Sequence, residues 1–369
     1  MIRSALVLIF SSLIAFSNDM ESYLSLSGNN RSEIQKALDQ VHKDNRKGLK
    51  WLISNMPLKD LQTLTSDFLL DNTNLAYQSW IDSPWHQKIP ESIFFDNILP
   101  YANLNERREK WREDFRILFL PLIEGVNTPS EAAVILNKNI FSKLNVIYST
   151  KRPKADQSPG ESIKAGMASC TGLSILLIDA CRSVGIPARF VGTSMWYNNS
   201  GNHSWVEIWD NGWHFTGAAE PVDNLLNVGW FTNNASKAIA GDQKYGIFAV
   251  TWNKTNHFFP MDWLPDIKTY NGIDITQKYN LFYNESNLDL IPIAFRVFDK
   301  YGQRKEEEIR VLGPNNYCFI GKSKGETNDL NDHFIIMLPR GKVFTANFKE
   351  ESKQFEVLNE TIIDFKLDH

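Results

Sequence analysis

Apolar residues in this chain recur in two periods, and the change of period along the sequence outlines the fold. From about Asp19 to Ser149 the spacing is helical. Ser32-Glu33-Ile34, followed by Ala37, Leu38 and Val41, reads as a capped amphipathic start. Glu106 to Leu118 sets charges around Trp111, Phe115 and Leu118, and Thr128-Pro129-Ser130-Glu131 opens another helix with proline at its first position. Lys151 to Ser162 reads as a loop. After it, Leu173, Leu176, Leu177, Ala180, Cys181 and Val184 fall on one helical face, and Gly185-Ile186-Pro187 is a stop signal.

Beyond that helix the period becomes two. Trp205 to Trp209 is strand-like, Asn211-Gly212 is a tight-turn signal, and Trp213 to Thr216 resumes the strand. Ala235 to Ala240 suggests a short helix and Tyr245 to Trp252 a buried strand. The last stretch divides into short strands: 291–298, 309–312, 317–322, 334–338, 343–348, 354–358 and 361–367. Such regular strands predict a small β-sandwich.

The expected fold class is therefore α+β. A cysteine-bearing helix packs on an antiparallel sheet, with a helical region before it and the sandwich after it. The expected division is 1–17 as a signal segment, 18–150 helical, 151–285 core and 286–369 sandwich. Arg3 ahead of the apolar run Ala5 to Phe16, with Ala15-Phe16-Ser17 at its end, reads as a signal peptide, short for a comfortable transmembrane span, with an uncleaved anchor as the alternative. Export follows as an expectation, with no integral membrane segment once that peptide is removed. Three cysteines cannot all pair internally, which fits an exported chain that keeps one thiol free.

Composition narrows the picture modestly. The chain has 369 residues, 43% hydrophobic and 22% charged, as in an ordinary globular protein. A net charge of −4 gives no electrostatic reason to expect nucleic acid. No phosphate loop or zinc-ligand spacing stands out, so no metal or organic cofactor is expected. The 11 Trp and 23 Phe suit an aromatic core or a glycan surface.

The chemistry gathers at Cys170 and His203. Cys170 lies three residues before Leu173, in the first turn of the predicted helix and on its inward stripe. The partial positive charge of a helix start favours thiolate, and free backbone N–H groups there can hold an oxyanion. Cys181 sits roughly 16 Å further along the same face, too far for a disulfide, and reads as core. His203 opens the hairpin. With a two-residue Asn211-Gly212 loop, Trp209 faces His214 and the register carried outward sets His203 opposite Glu220. Glu220 would then orient the imidazole, with Asp210 and Asp223 as the fallback carboxylates. His214 reads as a mid-strand polar residue. His86, His257 and His333 read as structural or exposed, and Glu207 has no clear role.

Cys170 at a helix start, GIPAR at Gly185 to Arg189, then His203-Ser204-Trp205-Val206-Glu207 and a Trp on the return strand together resemble the transglutaminase-like superfamily over roughly 162–231. The resemblance implies a papain-like core shared by transglutaminases, cysteine proteases and peptide N-glycanases. It implies Cys170 as nucleophile and His203 as general base. The usual third member is an Asp shortly after the return-strand Trp, where this chain carries Glu220. The resulting expectation is acyl transfer or amide hydrolysis on a peptide, protein or glycopeptide. The alternative is a non-catalytic peptide- or glycan-binding module. The C-terminal strands resemble a small transthyretin-like sandwich.

Overall fold

The computed structural model describes residues 20–282, 290–314 and 317–367. The expected signal segment, residues 1–17, lies outside the described residues. No helix among the described residues is long and apolar enough to cross a membrane.

The helical region is as the spacing predicts in outline. Helices run over Arg31–Gln40, Arg46–Asn55, Ser66–Asp82, Glu91–Asn97, Arg112–Phe119 and Pro129–Leu144. The last starts at the expected proline, with the Thr128 hydroxyl accepting from the Glu131 N–H. The charged stretch from Glu106 becomes helical only at Arg112. Before that, Glu106 is buried and accepts from the Asn103 and Leu104 N–H groups. The segment read as a loop also holds a helix, Pro159–Ala165. Its capping box joins Ser158 and Glu161, which satisfies the first-turn N–H groups of so short an element.

The cysteine helix spans Cys170–Ser183 and is capped by the Ser169 hydroxyl. Residues 171–183 are all buried, and Gly185 takes the left-handed conformation (φ +81°) that ends it. There a side chain would collide with the Ser79 carbonyl. Arg182, fully inside, ties this helix to the helical region. Its guanidinium donates to the carbonyls of Asn97, Pro100, Ala102 and Ala188.

Two short parallel strands come first, β1 (Ile147–Tyr148) and β2 (Met167–Ala168). The main sheet has β3 (Ala188–Thr193), β4 (His203–Trp209), β5 (Trp213–Thr216), β6 (Phe248–Val250) and β7 (Gly272–Asp274). Its order is β5-β4-β3-β6-β7, antiparallel throughout. Alternation along β4 gives the sheet two faces. Val206 and Ile208 join the cysteine helix and the N-terminal helices in one large apolar cluster. Trp205 faces the other way, with Phe215, Phe231 and Tyr279. On that second face Glu207 has a defined part: it pairs with Arg189 at 2.6 Å and Lys278 at 2.6 Å and accepts from the Tyr279 hydroxyl. Arg189 of the GIPAR run is thereby neutralised inside the fold.

The remaining strands are β8 (Leu290–Phe298), β9 (Glu308–Leu312), β10 (Cys318–Lys322), β11 (Phe334–Pro339), β12 (Val343–Phe348), β13 (Glu351–Glu356) and β14 (Thr361–Lys366). They form two sheets, β10-β9-β12-β13 and β11-β8-β14, whose inward residues share a separate apolar cluster around Phe295, Phe344 and Phe365. Overall the chain is α+β, as expected.

Candidate active site

Cys170 and His203 meet where the cysteine helix and strand β4 both begin. The Cys170 sulfur, a His203 ring nitrogen and a carboxylate oxygen of Asp329 all lie within 4.8 Å of one another. One residue into the helix, the Thr171 hydroxyl is 3.2 Å from that of Ser204, which ties the helix start to the strand start.

His203 is 1% exposed and walled by Trp196, Trp205, Trp230 and Phe231, with Trp230 and Phe231 centroids at 4.7 and 4.9 Å. Its Nε2 stands 3.6 Å from Glu220 Oε2, and its Nδ1 stands 3.5 Å from Asp329 Oδ2. These are ionic approaches rather than well-aligned hydrogen bonds.

Glu220 reaches the place the sequence suggests, but by another route. The hairpin pairs Trp209 with Trp213, Ile208 with His214 and Glu207 with Phe215. The loop therefore has three residues, Asp210 to Gly212, and the register is one residue off the expected one. Asn211 sits in the left-handed region (φ +54°), and the Asp210 N–H closes the loop on the Gly212 carbonyl. Strand pairing ends at Thr216. A turn then folds Glu220 back, with its N–H on the Gly217 carbonyl and Ala219 at φ +65°. Asn137 of the Pro129–Leu144 helix holds this turn by donating to the Gly217 carbonyl and accepting from the Ala219 N–H. The Trp230 indole donates to Glu220 Oε2 at 2.9 Å. Of the fallback carboxylates, Asp210 accepts from the Ser130 N–H and Asp223 is exposed. His214 is held by the Asp210 carbonyl and Asn227, and Cys181 is fully buried.

Asp329 is the residue that sequence reasoning missed. It is 2% exposed and lies between β10 and β11, far along the chain from the cysteine helix. Arg304 shapes its loop by donating to the carbonyls of Asn328, Asp329, Leu330 and Asp332. The loop is pinned to the core where the Leu330 N–H donates to the Tyr148 hydroxyl and Asn331 donates to the Asn202 carbonyl.

The charge balance departs from the helix-start expectation. Burial pushes the Cys170 thiol up and Asp329 adds to this, against the smaller lowering influence of His203 and the Ser204 N–H. Burial opposes the charged form of His203, yet Asp329 and Glu220 outweigh it and hold the imidazole well above its ordinary range. Burial also acts against ionised Asp329, but His203 overrides it and keeps that carboxyl low.

Residues 119–218 match the family model of the transglutaminase-like superfamily, a segment that contains Cys170 and His203. The resemblance seen in the motifs is thus present in the chain, and the core is transglutaminase-like. Among solved structures 31 chains match. One is the crystal structure of "a Putative Cysteine Protease from Cytophaga hutchinsonii", at 21% identity and a TM-score of 0.28, covering 35% of this chain and 44% of that one. The chain therefore spans less than half the length of that structure. No curated protein matches the chain significantly. The family match and the convergence of Cys170, His203 and Asp329 support a cysteine-based enzyme.

Proposed function

We propose that this chain is an exported acyl-transfer enzyme that cleaves an amide of a peptide or glycopeptide through a Cys170 thioester. The observation that carries the reading is His203 Nε2 3.6 Å from Glu220, beside the Cys170 sulfur at a helix start. Cys170 gives its proton to His203 and attacks the substrate carbonyl. His203 returns the proton to the departing amine as the C–N bond breaks. Water, deprotonated by His203, then attacks the thioester, releases the carboxylic acid and restores the thiol. Glu220 acts through His203 by fixing its tautomer.

The cleft of about 560 Å³ that opens beside Trp230, between the core and strand β8, suits an extended polar substrate. It includes Asn233, Lys237, Arg340 and Glu360. Export rests on the charged and apolar pattern of residues 1–17. Division of the mature chain near residues 150 and 285 belongs to the same reading, and the separate apolar cluster of the C-terminal strands supports the second boundary.

A second reading, a binding module without turnover, is favoured by one observation: the thiol is pushed up and Asp329 occupies its surroundings. Iodoacetamide separates the two. Alkylation of Cys170 in the folded protein near neutral pH, mapped by mass spectrometry, supports the nucleophile, as does labelling by acyl electrophiles. Reaction only after denaturation removes its basis.

A further inference from the structure

We infer that Cys170, His203 and Asp329 form a zinc site that closes the active centre and clamps the Asn328–Asp332 loop onto it. The inference uses the same residues as the enzyme reading but requires only their geometry. Among the described residues this is the one cluster of three such donors. Two nitrogen or oxygen ligands of a tetrahedral zinc, each about 2.0–2.1 Å from the metal, stand roughly 3.3–3.4 Å apart. The 3.5 Å between His203 Nδ1 and Asp329 Oδ2 is close to that value and long for a charged hydrogen bond. The Cys170 sulfur completes three donors within 4.8 Å, of thiolate, imidazole and carboxylate type, and leaves the fourth zinc position for water.

Two further features point the same way. His203 is 1% exposed, and neither ring nitrogen makes a hydrogen bond of ordinary geometry. Glu220 at Nε2 stands where the outer carboxylate of a metal-bound histidine stands, so that Nε2 carries the proton and Nδ1 offers its lone pair inward. The Trp230 indole in turn fixes Glu220. Zinc entry releases the thiol proton and the proton on His203 Nδ1 to solvent, and forms the Zn–S and Zn–N bonds. Coordination engages the sulfur lone pair that would otherwise attack the substrate carbonyl, so the metal holds the enzyme latent. It also joins the core to a loop that Arg304 has already shaped.

The test uses the full chain in a Cys318→Ser background, because Cys318 is an exposed free thiol. After chelator treatment, zinc is titrated against a chromophoric chelator, and cobalt(II) is added separately as a spectroscopic probe. One equivalent of zinc should bind. Cobalt should give a thiolate charge-transfer band that Cys170→Ser abolishes. Asp329→Asn should weaken zinc at least about tenfold, and Glu220→Gln should weaken it by roughly tenfold as an outer partner. Zinc should also slow iodoacetamide labelling of Cys170 in the parent chain and much less in Asp329→Asn. Zinc affinity unchanged by Cys170→Ser or Asp329→Asn, or no thiolate band with cobalt, overturns the inference. Circular dichroism of each variant identifies loss of fold, and the cobalt spectrum of the parent chain decides the matter without any variant. Alkylation of the metal-free protein tests the enzyme reading separately, so a reactive thiol that ignores zinc leaves that reading standing.

Discussion

The indole of Trp230 donates a 2.9 Å hydrogen bond to Oε2 of Glu220, the same oxygen that faces His203. A carboxylate held from both sides in an aromatic surround has little freedom to reorient. Glu220→Gln should therefore keep the fold and substrate binding while lowering kcat, by less than the roughly 10⁴-fold seen for the orienting carboxylate of a serine triad, because a Cys–His pair is intrinsically more reactive. Trp230→Phe should lower kcat by a smaller factor. Asp223→Asn should be neutral, and Asp210→Asn nearly so, since its contact is with the Ser130 N–H. Steady-state kinetics of the four variants check this order. An unchanged kcat in Glu220→Gln would remove Glu220 from the mechanism.

The two cysteines of the helix should respond oppositely. Cys170 is partly exposed at the first turn, whereas Cys181 is completely enclosed. Cys170→Ala should abolish activity and leave the thermal midpoint within a few degrees. Cys181→Ala should retain activity and cost about 1 kcal/mol as a small buried truncation. Activity assays and urea unfolding distinguish the pair.

The parts of this fold that local physics determines are legible in the sequence. The three- and four-residue spacing behind Cys170 and the Gly185 stop define a helix that forms where expected. Period-two runs in the C-terminal segment locate strands to within a few residues, because alternating burial is a local requirement. The hairpin register was less accessible. Asn211-Gly212 favours a two-residue loop, but the chain uses three, and the difference of one moves every pairing. Glu220 still reaches His203 because the turn at Gly217, held by Asn137, does what strand pairing was expected to do. Asp329 left no local sign. It approaches Cys170 only because the C-terminal strands dock a loop there, and no periodicity reports docking. The Pro159–Ala165 helix did leave one, since Ser158 and Glu161 stand at capping-box spacing.

Arg182 should be among the residues least tolerant of change. It is 2% exposed and binds carbonyls from the segment near residue 100 as well as that of Ala188 at the start of β3. Burial lowers its pKa, and nearby Asp179 and Glu106 oppose that effect. Arg182→Met preserves bulk but leaves the carbonyls of Pro100 and Ala102 without this donor. A loss of roughly 3–5 kcal/mol is expected, read from the urea midpoint. A loss below 1 kcal/mol would mean that those carbonyls find other donors.

His333, just before β11, should give the protein an acid-sensitive step. Burial, followed by the charges of Arg296 and Arg304, depresses its pKa from 6.5 to about 4, against the Asp332 contact and the charge of Asp329. The folded protein thus holds the imidazole neutral in a range where the unfolded chain protonates it. Between those two values the unfolded state binds more protons, so this contribution to stability rises with pH. It is complete above 6.5, falls as the pH drops below that, and is fully lost below 4. The span corresponds to at most about 3 kcal/mol. Asp332, raised to about 6 chiefly by burial, acts in the opposite sense between 3.8 and that value and partly masks the step. Comparison with His333→Gln isolates the histidine, because the variant retains Asp332. Urea unfolding at intervals from pH 4 to 7 should show the parent gaining stability relative to His333→Gln as the pH rises. Parallel curves for the two proteins would show that His333 titrates alike in the folded and unfolded chains.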